Sequence, residues 1–526
     1  MQNREWDAVV IGGGAAGLSA AQMLGRARRR TLVIDEGSPR NRFAAHMHGV
    51  LGHDGIEPQA LLARGRDELD RYGVHVEKGA VADIRDEGAV LRLTRVDGTV
   101  DTARAVIIAT GVRDELPSVA GLDELWGHSV LHCPYCHGFE VAGARLGVLA
   151  TSALSIHQIE LVRQWSAEVT AFTAAIEPLD ETVRTGLRSR GIHIVDTPVT
   201  AVRAHDGALR AVQDAAGVAH EVDALFVAPS VVVDIAFADG LGLARHDEPG
   251  SPLAVDGRGA TSHPRVWAAG NVAAPHGNVP VAMATGSMAG AAVNAALVDE
   301  DTEFAVAASA RRRAVEWEQR YAERDSVWSG RVNAAVADVT ADLEAGTALE
   351  IGCGEGADAV WLAERGWRVT AVDLSPTAIR RARAVAAERG LSDRLSFVVG
   401  SGADAAPPGT FDLVSASFLH SWDEDFPRIP LLRAAADRVA GGGHLLVVSH
   451  AAAPPWSTGH GDGHTPRLLP PEEELRLLAL DPDAWEHVIV ETRRREVTDP
   501  DGRPATLEDG ILLLRRRPER TQITDA

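Results

Sequence analysis

The sequence predicts an α/β protein built as two successive Rossmann-like parts with mainly parallel, doubly wound sheets. Three observations carry that expectation. A strand, glycine turn, helix, strand unit occupies residues 7–35, a second such unit occupies 347–373, and short apolar strands alternate with helical stretches between and beyond them. The length of 526 residues allows three or four domains at roughly 150 residues each. Hydrophobic residues make up 45% and charged residues 24%, so each domain can bury a core and a disordered or collagenous chain is excluded. The net charge of -22, from 74 acidic and 52 basic residues, argues against a nucleic-acid partner, whose phosphates need clustered Lys and Arg. Lys78 is the sole lysine, which removes a P-loop lysine and nearly all Schiff-base chemistry. Small-molecule chemistry is what remains.

Charged Arg4, Glu5 and Asp7 lead straight into the first strand, unlike a targeting signal. No uninterrupted apolar stretch of the ~18 residues that span a bilayer is expected, so the reading is a cytoplasmic protein without a membrane partner. Cys133, Cys136 and Cys353 are too few for a secreted disulfide framework, but two of them form one C-x-x-C.

The first unit starts with the apolar run Asp7 to Ile11 and turns through Gly12-Gly13-Gly14-Ala15-Ala16-Gly17 into a helix. A strand from Thr31 to Asp35 follows. This is G-x-G-x-x-G in its required setting, with an acid about twenty residues on. Gly12, Gly14, Ala15 and Gly17 let the backbone approach a pyrophosphate at the helix N-terminus, and Asp35 can accept ribose hydroxyls. The fingerprint by itself does not separate FAD from NAD.

Two later segments make that distinction. Val106 to Gly111 ends in Ala109-Thr110-Gly111, and Val266 to Val272 carries Gly270-Asn271 ahead of a helix of small residues, VAMATGSMAGAAVNAAL. From Asp7 to about Ala296 the chain resembles the low-molecular-weight thioredoxin reductase family. That resemblance implies a three-layer, two-domain FAD/NAD(P)-type flavoprotein and a homodimer. Its FAD-binding domain would be split into residues 1–115 and 242–300, with 116–241 as the inserted NAD(P)-type domain. It also implies that both later turns line the flavin nucleotide, and Asn271 stands where the family usually has Asp.

The segment His132-Cys133-Pro134-Tyr135-Cys136-His137 admits three readings. Zinc needs four ligands, and no second pair follows at a useful spacing. C-x-x-C-H also attaches c-type haem, which requires export. The third reading is a dithiol/disulfide pair facing a flavin, at the place where the thioredoxin reductase family carries its own. By that resemblance Cys133 is the outer, exchanging sulfur and Cys136 the inner one. His137 stands where the family tends to have an acid, and an imidazole can move a thiol proton near neutral pH. The C-P-Y-C-H-G pattern looks more like the dithiol oxidases of gliotoxin and holomycin biosynthesis than like thioredoxin reductase itself.

A nicotinamide-fed enzyme should show a second glycine fingerprint after the strand near Arg145. Instead Gly147 lies on the strand, and the turn reads Ala150-Thr151-Ser152-Ala153-Leu154-Ser155. The strand that follows, VTAFTAA, leads to Ile176-Glu177 with no arginine cluster for a 2′-phosphate. NAD(P)H as electron donor is therefore doubtful, and electrons would enter from a small dithiol and leave to dioxygen.

After a charged linker helix expected over 301–325, the pattern restarts as TALEIGCGEG, ADAVWLAERG and WRVTAVD. Residues 326–526 resemble class I methyltransferases that use S-adenosylmethionine (SAM). The resemblance places SAM at Glu350, Gly352, Cys353 and Gly354, with Asp373 on the ribose hydroxyls, while Asp404 in the loop SGADAAPPGT either reaches the adenine or serves the surface. Cys353 reads as a small filler, FDLVSASFLH and GGGHLLVVSH as the fourth and fifth strands, and His450, His460 and His464 as part of a substrate lid. His46, His48 and His53 either approach the flavin or solvate a loop. The expectation is a bifunctional enzyme that oxidises a small dithiol with FAD and methylates an acceptor, with a thiol as the candidate. A nicotinamide-dependent disulfide reductase fused to an unrelated methyltransferase is the alternative, and a redox-sensing or scaffolding fusion is the alternative of another class.

Overall fold

The computed structural model describes residues 4–246, 251–421, 423, 425–453, 456, 468–499 and 501–518, so His460 and His464 lie outside the described residues. The chain divides into two compact units, Met1–Thr302 and Glu303–Ala526.

The first unit contains two sheets that carry the site. In one, Arg4–Ile11 lies between Thr31–Asp35 and Val100–Ile108, parallel to both, and Val266–Ala268 adds alongside Val106–Ile108. Val9, Val10, Val106 and Ile107 are fully buried, as strands covered on both faces require. Val81–Asp86 and Leu91–Arg95 extend the other edge as an antiparallel meander. The second sheet is all parallel, in the order Ile192–Val195, Val169–Phe172, Leu146–Leu149, Ala224–Val227, Val130–Leu131. An antiparallel ribbon of Arg113–Glu115 with Ser230–Val232 joins the two chain crossings between the sheets.

The helix expected over 301–325 is the last part of a longer one. Val279–Ala322 is one helix of 44 residues. Its first turns pack backbone to backbone on the Ala15–Arg26 helix, where a Cβ on Gly286 would lie 2.0 Å from the Ala16 carbonyl oxygen. The acidic run that reads as a linker is ion-paired instead: Asp301 with Arg29 at 2.7 Å, and Glu300 with Arg104 and Arg265 at 2.6 and 2.8 Å. With no Gly or Pro beyond Gly290, nothing in the sequence stops the helix. Among the described residues it is also the one helix long and apolar enough to cross a membrane by length and composition, with a window of mean hydropathy 1.5. The sequence reading missed that window because Thr, Ser and Asn interrupt it. Its buried Ala289, Val293 and Leu297 join the core around the first helix.

The second unit is a seven-stranded sheet ordered Leu395–Val399, Arg368–Asp373, Thr347–Ile351, Phe411–Ser417, Val439–His450, Pro504–Arg516, Trp485–Thr498. The first five strands are parallel and the last two antiparallel. All parallel carboxyl ends therefore share one edge, above the glycine loop.

Candidate functional site

The residues of the first glycine turn leave no room for side chains. Gly12 has φ +107, and a Cβ there would lie 2.4 Å from the Ala109 carbonyl oxygen, while one on Gly17 would lie 1.8 Å from that of Gly12. The helix opens at Gly14 without a capping side chain, so its first amides are available to an anion. Asp35 accepts from the amides of Gly13 and Gly37 at 3.0 and 3.1 Å, which sets its carboxylate against the turn. Gly111 and Gly270 both have positive φ, and a Cβ on Gly270 would lie 2.7 Å from that of Ala16. Thr110 is exposed beside them. Asn271 is drawn into the loop: its Nδ2 donates to the carbonyls of Ala274 and Gly277 at 2.9 and 2.8 Å, leaving Oδ1 for another partner. This cradle fits a dinucleotide.

Cys133 precedes a single helical turn, Pro134–His137, whose amides at Cys136 and His137 donate to the Cys133 carbonyl. Both cysteines are free thiols and half-buried, so acidity rather than exposure separates them. The Cys136 thiol hydrogen-bonds to Cys133 and brings it down to about 7; nearby amides and the Arg40 guanidinium assist, against burial. The same bond and burial push Cys136 up. Arg40 is fixed by Asp114 at 2.6 and 2.9 Å and by the Pro275 carbonyl at 2.8 Å. Burial lowers His137, leaving a neutral imidazole at pH 7 that can accept a proton. His48 lies toward this turn, 3.3 Å from Glu140, whereas His53 faces Arg64. Exposed Tyr135 stands edge-on to Trp165 at 5.8 Å.

The turn of the inserted sheet is bonded from within. Buried Ser155 accepts the amides of Thr151 and Ser152 on its Oγ at 3.0 and 3.4 Å, and the Thr151 hydroxyl donates to the Ala228 carbonyl at 2.7 Å. The cavity beside it is walled by Leu149, Ala150, Phe172, Pro198 and Val199, which offer no charge.

In the second unit Gly352, Gly354 and Gly356 all take positive φ. Asp373 accepts from the Gly354 and Ser375 amides at 2.8 and 2.9 Å, and each oxygen keeps a lone pair for a ribose hydroxyl. Glu350 is fully buried, its carboxyl pushed well up by burial, and its Oε2 has no partner. An unpaired buried carboxyl suits the cationic methionine end of SAM, so these residues fit that group. Cys353 is buried and its thiol is pushed up, which makes it a filler rather than a nucleophile. Asp404 is exposed in a turn after the Leu395–Val399 strand.

The sequence reading missed several residues here. Trp328 Nε1 donates to the Tyr321 hydroxyl at 2.8 Å, and both side chains stand over Gly354. Glu355 of the glycine loop accepts the Trp328 amide at 3.1 Å and pairs with Arg381 at 2.9 Å, so it ties that aromatic pair down. An aromatic pair over a glycine has no local spacing signal. Arg40 and Asp114 meet across 74 positions and were equally invisible.

Residues 6–290 match the family of pyridine nucleotide-disulphide oxidoreductases, and residues 348–443 match a methyltransferase domain. A protein of Leptosphaeria maculans named thioredoxin reductase sirT is 34% identical over 306 residues, which is 55% of this chain and 93% of that one. A thioredoxin reductase-type relative from Arthroderma benhamiae is 35% identical over 179 residues, 33% of this chain but less than half, 44%, of its own length. The crystal structure of HlmI is 42% identical, covers 58% of this chain and 96% of its own, and superposes with a TM-score of 0.56. The chain belongs to the pyridine nucleotide-disulphide oxidoreductase family and joins to that oxidoreductase part a methyltransferase domain.

Proposed function

We propose that the first unit oxidises a small dithiol to a disulfide, using FAD, the Cys133/Cys136 pair and dioxygen, and that the second methylates a thiol with SAM. In this reading FAD is held by residues 1–115 and 242–300, residues 116–241 form the inserted domain, and 326–526 form the methyltransferase. The proposed protein is a cytoplasmic homodimer with small-molecule substrates, without a nucleic-acid or membrane partner. The observation that carries the oxidase half is Ser155. It takes up the amides of Thr151 and Ser152 in a turn that lacks the glycines of a dinucleotide fingerprint, and this favours a dithiol over a nicotinamide as electron source.

The flavin, when bound, supplies the two-electron acceptor for the dithiol and hands the pair to dioxygen. The chain does the rest. In the oxidised enzyme a substrate thiol gives its proton to His137, and its thiolate attacks Cys133 Sγ. The Cys133–Cys136 bond breaks with its electron pair on Cys136. The second substrate thiol gives its proton to the Cys136 thiolate, attacks the first substrate sulfur and displaces Cys133. A Cys133 thiol that ionises near 7 leaves readily. The products are the substrate disulfide and the reduced pair.

Anaerobic mixing tests the reading. Dithiothreitol should bleach the flavin absorbance of the purified holoprotein rapidly, and NADPH slowly or not at all. Rapid bleaching by NADPH would replace this reading with the nicotinamide-fed reductase that the relatives' names describe. For the second unit, thiols with SAM should give S-methyl product with wild type and none with Asp373→Ala. Turnover of a non-thiol acceptor alone would remove the thiol from the proposal.

A further inference from the structure

The methyltransferase edge holds a histidine arrangement that the cofactor loop does not use. Phe411–Ser417 runs parallel between Thr347–Ile351 and Val439–His450, with Glu350 opposite Ser415 and Ser417 opposite Val448. At about 4.8 Å per strand, the loop Phe418–His420 and His450 thus end beside the glycine loop, in the crevice where open α/β sheets bind ligands. Contact is direct, since a Cβ on Gly352 would lie 2.8 Å from Leu419 Cδ1. Phe418 takes φ +49, costly for an aromatic residue, and its ring lies 4.5 Å from that of His450. The His420 and His450 rings stack 5.6 Å apart and 5° from parallel.

Hydrogen bonding assigns both protons. The His450 backbone amide donates to His420 Nε2 at 3.2 Å, so the proton of His420 sits on Nδ1. Burial, with Arg428 and His450 nearby, brings His420 down to about 3 and keeps it neutral. Arg428 is itself paired with buried Glu474. His450 Nδ1 lies 3.2 Å from Asp509 Oδ1, and Arg495 Nε donates to the other Asp509 oxygen at 2.7 Å. Burial opposes ionisation of Asp509, but hydrogen bonds from His450 and Arg495 outweigh it and hold the carboxyl low. A carboxylate on Nδ1 leaves the lone pair of His450 on Nε2, the arrangement of a histidine base oriented by an aspartate. The His450 side chain is 27% exposed, so a substrate can reach it.

We propose that His450 Nε2 is the base that takes the acceptor's proton during methyl transfer, with Asp509 and His420 as positioning residues. This rests on the reading of the second unit as a thiol methyltransferase and names how it activates thiols that are protonated at neutral pH. The acceptor S–H gives its proton to Nε2. The sulfur electron pair forms a bond to the methyl carbon as the carbon–sulfonium bond breaks, and that bond's pair stays on the departing thioether. The imidazolium then returns its proton to water.

The test uses the full chain with SAM and two probes: 2-mercaptoethanol, protonated at neutral pH, and 4-nitrothiophenol, already ionised. His450→Gln should cut the 2-mercaptoethanol rate by about 10²–10⁴-fold at neutral pH, while the 4-nitrothiophenol rate changes by no more than about threefold. Added imidazole should partly restore His450→Ala. Asp509→Asn should lower the 2-mercaptoethanol rate and leave the 4-nitrothiophenol rate within about threefold of wild type, because the lost carboxylate no longer orients the His450 ring. Calorimetric SAM binding by each variant reports that the domain is folded. A folded His450→Gln that loses both probes equally, or neither, overturns the base assignment. A wild type that binds SAM and methylates neither probe overturns the thiol-acceptor reading and the base with it.

Discussion

Two turns in the first unit share a plan and differ in what they offer a ligand. Gly12–Gly17 and Ala150–Ser155 each follow a buried parallel strand and lead into a helix. In the first, missing Cβ atoms let the backbone close on itself. In the second, the Ser155 hydroxyl satisfies the amides of Thr151 and Ser152 from within. A Rossmann-type turn thus becomes a site only when its donors are left unpaid by the protein, because a buried amide takes whichever acceptor is nearest.

The harshest way to break that contrast is Gly17→Val. Its Cβ would overlap the Gly12 carbonyl, so the variant should purify without flavin, measured as the flavin-to-protein absorbance ratio. Ala153→Val, at an exposed position of the second turn, should keep the wild-type ratio and stay within about ±0.5 kcal/mol in stability. Full flavin occupancy in Gly17→Val would refute the steric account.

Next in size is loss of the dithiol. Cys133→Ser and Cys136→Ser should each reduce dithiol oxidation about 10³-fold or more while retaining flavin, followed as oxygen uptake. By the assigned roles, Cys133→Ser leaves the inner sulfur beside the flavin and should show a long-wavelength band that Cys136→Ser lacks. Activity near wild type in either variant would separate the pair from turnover.

What the sequence made legible follows the range of the interaction. The glycine turns of both units were readable because their constraint is steric and local, enforced within a few residues or across one strand pair. The Cys133/Cys136 pair was readable because its chemistry is set by one turn of chain. Partners far apart in sequence were not. Asp509 reaches His450 across 59 residues, and its orienting role left no spacing signal, so His450 read as part of a lid. Glu300 and Asp301 bind arginines of the first unit, and those pairings across the chain were equally unreadable. Ser155 lay in plain view, yet a serine hydroxyl turned onto amides looks in sequence like any other turn residue.

A third, smaller effect concerns acidity at the redox turn. Alkylation of reduced Cys133 by iodoacetamide should rise with pH through a midpoint of about 7, since a lowered thiol pKa places the reactive thiolate there. Cys136→Ala removes the thiol that donates to it and should move that midpoint upward. Arg40→Met should move it upward by less, because the guanidinium is the smaller of the named influences. A midpoint unmoved in Cys136→Ala would mean that another group sets the acidity.

The smallest expected effect sharpens the opening contrast most. Ser155→Ala removes the acceptor and leaves the Thr151 and Ser152 amides unpaired next to a buried position. That should cost the local fold about 1–3 kcal/mol. Hydrogen exchange is the suitable measurement in a chain of several domains, where one melting temperature has no single meaning. Protection across the strand Leu146–Leu149 and the helix Ser155–Val162 should fall by about 5- to 150-fold, the equivalent of that energy. Flavin reduction by NADPH should stay as slow as in wild type. Freed amides do not suffice, because the turn still lacks the glycines that let a backbone approach a pyrophosphate closely. If Ser155→Ala instead admits NADPH and bleaches the flavin rapidly, one hydroxyl is the whole barrier. The two turns would then differ by one hydroxyl and not by their backbones.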